Sequence, residues 1–142
     1  MSHLINELKQ SYSHTAIEIS GTLPKLKINE TKALQIFQNI LDNACKYRDP
    51  NKKSQVVVSC GVIFGFYEFQ IKDNGIGIPK ESEHRVFEIF QKLNNNKDSN
   101  GVGMSIVKKI VETYGGKIWF ESEVGKGTTF KFNLPRSLTT KA

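Results

Sequence analysis

Between Lys32 and Lys46, apolar residues recur at Ala33, Phe37, Ile40, Leu41, Ala44 and Cys45, the offsets of one helical face. A second helical run passes through Ile106, Val107, Ile110, Val111 and Tyr114 and meets Gly115-Gly116, a C-terminal stop signal. Elsewhere the period drops to two. Tyr67, Phe69 and Ile71 alternate with Glu68, Gln70 and Lys72, which predicts a strand with the first three side chains turned inward. Strands are predicted over 55–62 and 66–72, flanking Gly65 with room for little more than a hairpin turn, and over 117–123 and 128–134, turned at Val124-Gly125-Lys126-Gly127. A short helix over 4–12, a strand over 16–20, an extended piece at 26–28, a helical turn after Pro79 and a segment at 87–91 fill the remaining order. That order predicts an α/β two-layer sandwich: a mixed sheet covered on one face by about three helices.

The polar positions carry the candidate chemistry. Opposite the apolar stripe of the first long helix, Gln35, Asn39, Asn43 and Lys46 fall within an arc of about 80° at 3.6 residues per turn. Exposed amides need no special explanation, and a solvated helix face is one reading. The other is ionic: Mg²⁺ prefers oxygen ligands, keeps waters and takes the rest from phosphates, so the Asn43 carbonyl could complete its shell while Lys46 meets phosphate charge. Asp73 stands at the end of the 66–72 strand in Asp-Asn-Gly, ordinary turn chemistry. A turn does not need Gly77 and Pro79 as well. A carboxylate there could accept the exocyclic amine of adenine, with Gly75 and Gly77 letting backbone approach a flat base. Gly101 and Gly103 precede the second long helix, either as a Gly-rich linker or as an anion-binding helix start.

Taken together, QNILDNACKY (38–47), DNGIGIP (73–79), NGVGMSIV (100–107) and GKGTTF (125–130) resemble, in this order, the N, G1, G2 and G3 boxes of the catalytic, ATP-binding domain of sensor histidine kinases. Those kinases form a branch of the superfamily that includes gyrase and the large heat-shock chaperone ATPases. Val86-Phe87-Glu88-Ile89-Phe90 is similar to its F box, and the resemblance covers about 25–135. It implies the Bergerat-type ATP-binding fold, with ATP and Mg²⁺ as cofactors. By motif position, Asn39, Asn43, Lys46 and Tyr47 become the N-box contacts and Asn43 the magnesium ligand. Asp73 becomes the adenine acceptor, with Gly75, Gly77 and Ile78 shaping the base pocket. Gly101, Val102, Gly103 and Met104 fall along the phosphates, and Gly125, Gly127 and Thr128 on the base side. Lys92 stands where the family often has arginine and is expected at the terminal phosphate. Asn39, Lys46 and Lys92 are thus the catalytic candidates. The polar run Asn94-Asn95-Asn96-Lys97-Asp98-Ser99-Asn100 is either a disordered loop or, in the family's arrangement, a lid over bound nucleotide.

Two departures shape the functional expectation. Ser99 stands where the family's G2 pattern usually has its first glycine. The family's acceptor histidine usually precedes an acidic residue, whereas here His3 precedes Leu4, His14 precedes Thr15 and His84 precedes Arg85. The resemblance therefore implies transfer of the γ-phosphoryl group to a histidine on a separate dimerisation domain, with a response regulator downstream. Asn39 also stands where related ATPases carry a water-activating glutamate, and an amide cannot take a proton. Slow intrinsic hydrolysis is expected. Two alternatives share the boxes: a non-catalytic ATP-binding regulatory module, and an anti-sigma-type protein-serine kinase.

Composition changes little in this picture. A chain of 142 residues with 38% hydrophobic residues suits one catalytic domain, expected over 15–136, with 1–14 as the connection to a missing acceptor domain and 137–142 as a flexible tail. The formal net charge of +6 suits a polyphosphate ligand. It would also suit nucleic acid, but the lysines are scattered without interleaved exposed aromatics, and no nucleic-acid partner is expected. Cys45 and Cys60 lack metal-ligand spacing and are expected as buried apolar residues of a reduced cytoplasmic protein, without a disulfide. No apolar run approaches the length of a membrane span, so no membrane contact is expected, and the isolated domain is expected to be monomeric.

Overall fold

The alternating strands pair as the period-two pattern demands. A computed structural model of the chain describes residues 2–88 and 103–138. Five strands form one sheet: β1 (Thr15–Ser20), β2 (Ser54–Ile63), β3 (Phe66–Asp73), β4 (Ile118–Glu123) and β5 (Gly127–Pro135). The spatial order is β1-β2-β3-β5-β4, with β1 parallel to β2 and every other pair antiparallel. Among the described residues three α-helices cover one face: α1 (Ser2–Lys9), α2 (Glu30–Lys46) and α3 (Gly103–Thr113). The mixed two-layer sandwich expected from the pattern is the observed fold.

A parallel pair cannot be joined by a hairpin, so β1 and β2 are connected through α2, which starts at Asn29, whose side chain accepts the Lys32 N–H. The hairpin between β2 and β3 turns in two residues, Phe64 and Gly65, both with positive φ (48° and 80°). Such primed turns match the right-handed twist of the flanking strands. Inward residues of β3 and β5 meet the α2 stripe: Phe37, Phe69 and Phe132 are fully buried, with the rings of Phe69 and Phe132 stacked at 4.8 Å and Phe37 edge-on to both.

Several expected details shift. The α2 stripe includes Ile36, fully buried, whereas Cys45 and Cys60 are only half-buried free thiols. Cys45 sits at the rim of the stripe, its sulfur 3.5 Å from the Thr15 hydroxyl. Burial, and then the Glu68 charge, push the Cys60 thiol up to about 11. Helix α1 stops at Lys9, three residues before the expected end. Residues Gln10 to Tyr12 form turns there, and the Tyr12 hydroxyl donates to the Asp42 carboxylate of α2 at 2.6 Å. The helical turn after Pro79 is a 3₁₀ segment, Lys80–Arg85, and Phe87 beyond it packs on Phe120 and Phe130. A further 3₁₀ turn, Arg136–Leu138, brings the Leu138 carbonyl to the Lys27 N–H, which fastens the start of the expected tail.

Candidate functional site

The inward rows of β3, β5 and β4 each end, on the helix-covered face, in a polar residue. On β3 the buried row Phe69, Ile71 closes at Asp73; on β5, Leu134, Phe132, Phe130 closes at Thr128; on β4, Ile118, Phe120 closes at Ser122. Register brings them side by side, since Ser122 pairs with Thr128 and Lys72 with Thr129. Apolar rows thus pass into a polar edge at one end of the sheet.

Asp73 is 6% exposed. Its Oδ1 accepts the backbone N–H of Gly75 at 2.9 Å and of Thr128 at 3.2 Å. Burial raises the pKa of the carboxyl above its ordinary 3.8, and the two N–H donors offset only part of that rise. With one oxygen engaged by the backbone, the second is the natural acceptor for an external donor. A buried carboxylate is expensive to maintain, and such groups cluster at functional sites.

The segment after Asp73 is laced to three neighbours. Its Ile76 N–H donates to the Tyr47 carbonyl at the end of α2, at 2.8 Å, and the Gly125 N–H donates to the Ile76 carbonyl, also at 2.8 Å. Asn74 accepts from the Gln55 N–H and donates to the Lys53 carbonyl. Gly75 and Gly77 were expected to make room for a base; the close approaches the structure displays are to the chain's own backbone. A Cβ on Gly75 would lie 2.3 Å from the Tyr47 carbonyl oxygen, and one on Gly77, at φ +83°, would lie 2.5 Å from that of Glu123. These glycines dock the loop against α2 and the β4–β5 turn.

The remaining expected contacts divide. Tyr47, Asp73, Gly75, Gly77, Ile78, Gly125, Gly127 and Thr128 are knit into this one network of loops. Asn39, Asn43 and Lys46 line the same α2, within about two turns of Tyr47; the two amides are half-buried and Lys46 is exposed, its ammonium 5.4 Å from the Tyr47 ring centre. The Asn39 amide nitrogen donates to the Gln35 carbonyl at 2.7 Å, so the side chain lies back along its own helix. Gly103 and Met104, both buried, open α3, which packs against α2. Lys92, Gly101, Val102 and the polar run 94–100 lie outside the described residues.

Ser122 was missed by the motif reading. Its hydroxyl accepts the Ile78 N–H at 2.7 Å, lies 2.9 Å from the Thr128 hydroxyl and 3.2 Å from the Gly127 carbonyl. The available signal was a small polar residue at an inward position of an otherwise apolar row. An open cleft of about 340 Å³ includes Asp73, Ser122, Gly127 and Thr128; a larger one of about 710 Å³, lined by Lys80, His84, Phe87, Lys108 and Trp119 among others, does not reach the carboxylate.

Residues 28–138 match the family described as histidine kinase-, DNA gyrase B- and HSP90-like ATPases. The chain belongs to that family. Among relatives of this ATPase family, cyanobacterial phytochrome A of Nostoc is 36% identical over 134 residues, 92% of this chain and 17% of that protein. The sensor protein kinase WalK of Staphylococcus haemolyticus is 34% identical over 141 residues, 95% of this chain and 23% of that protein. The chain thus spans less than a quarter of the length of these relatives. The mycobacterial sensor histidine kinase MprB superposes with a TM-score of 0.76 at 26% identity, covering 94% of this chain and 91% of that one. Full-length ShkA in complex with AMPPNP superposes with a TM-score of 0.78 at 26% identity, covering 99% of this chain and 30% of that one. The ATPase family's histidine kinase branch is therefore where the fold and the sequence both place this chain.

Proposed function

We propose that this domain binds Mg-ATP and presents its γ-phosphoryl group to a histidine on a separate dimerisation domain of a longer sensor kinase, from which a response regulator is then phosphorylated. The observation that carries the reading is the buried Asp73 carboxylate, one oxygen held by two backbone N–H groups and the other left for the exocyclic amine of adenine. Guanine, with a carbonyl at that position, would set acceptor against acceptor.

The donor set suits a phosphate-borne magnesium. No group of three His, Cys, Asp or Glu side chains that could cage a metal occurs among the described residues. The amide-bearing face of α2 offers neutral oxygens instead, which fits an ion that keeps waters and phosphate oxygens as its main ligands. Asn43 would hold it, and when bound it would neutralise charge on the β- and γ-phosphates. Lys46 adds a cation one turn on, and the amides at the start of α3 favour anionic ligands. In phosphoryl transfer such positioning and neutralisation supply most of what the protein contributes. Asn39, an amide, cannot abstract a proton from water; the nucleophile is a histidine nitrogen supplied and activated by the acceptor domain, so hydrolysis by the isolated chain is slow.

The test has two steps. Calorimetry with ATP and GTP, with and without Mg²⁺, should give adenine-selective, magnesium-assisted binding. Adding an isolated histidine-bearing acceptor domain and radiolabelled ATP should then give acid-labile, base-stable label on that domain. Binding without transfer to any cognate acceptor would replace the kinase by a regulatory nucleotide-binding module, and acid-stable label on a serine would point to an anti-sigma-type kinase. Brisk hydrolysis by the purified chain alone would refute the missing-base argument.

A further inference from the structure

The hairpin joining β2 and β3 ends in a run of apolar residues, Val62-Ile63-Phe64-Gly65-Phe66-Tyr67. Three consecutive members are exposed: Val62 at 54%, Ile63 at 45% and Phe64 at 96%. Register pairs Val62 with Tyr67 and Ile63 with Phe66, and successive side chains alternate between faces. Each face of the ribbon therefore carries one apolar pair, and Phe64 stands at the apex. Phe64 holds a φ of 48°, a conformation that costs a bulky side chain and that asparagine accepts readily. An aromatic residue thus stands, against both solvation and backbone preference, where a polar turn would be more stable.

Basic groups flank this tip. The Arg136 N–H donates to the Gly65 carbonyl at 2.9 Å, and the Arg136 guanidinium lies 5.9 Å from the Tyr67 ring centre. The Lys27 N–H meets the carbonyl of Leu138, two residues beyond Arg136, and Lys25 precedes Lys27 by two residues; all three basic residues are exposed. The first acidic residue along the ribbon, Glu68, is half-buried and accepts from the Gln70 amide. Shape narrows what such a tip can enter. Three side chains around a two-residue turn fall far short of the roughly 800 Å² per partner that a stable protein interface buries. A second copy or a flat protein surface would also cover one face of the ribbon and leave the pair on the other face wet. A lipid interface surrounds an inserted wedge on both faces, and anionic headgroups complement Arg136, Lys27 and Lys25. No membrane contact was expected from a chain without a spanning run, but a wedge that enters only the headgroup boundary needs no span. Strand β3 runs from this tip to Asp73, about 23 Å at the usual strand rise, so a docked tip leaves the polar edge at the far end of the sheet.

We propose that the β2–β3 hairpin tip is a peripheral docking site for anionic lipid surfaces: Val62, Ile63 and Phe64 enter the interface while Arg136, Lys27 and Lys25 meet the headgroups. The proposal is independent of the nucleotide reading.

The experiment is co-flotation of the intact chain with vesicles of phosphatidylcholine alone and of phosphatidylcholine mixed with phosphatidylserine. The parent should float with the anionic vesicles, less so at high salt, and stay behind with the neutral ones. Phe64→Asn should lower the partition coefficient about tenfold. That variant should fold at least as stably as the parent, so unfolding does not account for the loss. Lys25→Gln and Lys27→Gln should each lower anionic binding about fivefold. A folded parent that floats with neither kind of vesicle, or equally with both, overturns the proposal. So does anionic flotation that Phe64→Asn leaves unchanged, which would be adhesion through the net positive charge alone. A dimer in analytical ultracentrifugation that Phe64→Asn dissociates would also overturn it and make the tip a contact between copies.

Discussion

Replacing Asp73 by asparagine should separate binding from stability, and the two should move in opposite directions. Asparagine keeps an Oδ1 that can accept the Gly75 and Thr128 N–H groups, now at 2.9 and 3.2 Å, but puts an NH₂ where the second carboxylate oxygen stands. Binding then loses a hydrogen bond to a charged acceptor, worth about 1.5–3 kcal/mol, and sets two donors face to face at a cost of about 1–3 kcal/mol. A total near 4 kcal/mol corresponds to roughly a thousandfold in Kd for ATP. Stability follows from the raised carboxyl pKa. Between 3.8 and the raised value the folded state binds more protons than the unfolded state, so the fold loses stability as pH rises through that window. The asparagine variant has no such group. It should be at least as resistant to urea as the parent near neutral pH, and the difference should vanish on acidification below 3.8. Titration calorimetry and urea denaturation at the two pH values check both halves. A variant that is clearly less stable at neutral pH, yet still binds ATP with parental affinity, would refute the assignment and make Asp73 a structural turn residue.

Other perturbations test the framework around the site. Phe64 is 96% exposed and holds a left-handed φ of 48°, so Phe64→Asn, a residue that accepts this conformation readily, should raise stability by about 0.5–1 kcal/mol, read as a higher urea midpoint. Phe132 is fully buried between two other rings, and Phe132→Ala should cost about 3–5 kcal/mol at an unchanged denaturant slope. Gly75→Ala would force a methyl against the Tyr47 carbonyl and should cost roughly 1–3 kcal/mol while weakening ATP binding, whereas Gly61→Ala, which meets nothing within 4 Å, should leave binding unchanged in the same titration.

Periodicity made most of the fold legible because burial here follows it closely. The inward triplet Tyr67, Phe69, Ile71 becomes the centre of the sheet, and the α2 stripe becomes its cover. Boundaries were less legible where side chains reach across the fold. Tyr12 leaves the α1 pattern because its hydroxyl finds Asp42, thirty residues on, which no local period encodes. Among candidate site residues, Asp73 was legible from its place at a strand end and Thr128 only through motif resemblance; the contact that joins them, the Thr128 N–H on the Asp73 carboxylate, is tertiary. Gly75 and Gly77 were noted as sites of close approach, but which surface approaches them is a tertiary matter, and it is the backbone of Tyr47 and Glu123. Ser122 escaped because a serine in a strand is common, and its contacts exist only through register with Thr128.

The polar edge formed by Asp73, Thr128 and Ser122 also bears on how the protein folds. Its three residues come from three strands, and the Asp73–Thr128 contact closes a separation of 55 residues. No hairpin can preassemble it; loop-closure entropy must be met for the central sheet before the edge exists. A partly folded chain should therefore have no residual nucleotide affinity, and nucleotide should act on the native state alone. At a hundredfold excess over Kd it would add about 2.7 kcal/mol to the unfolding free energy. Nucleotide supply would then govern how long the domain survives proteolysis.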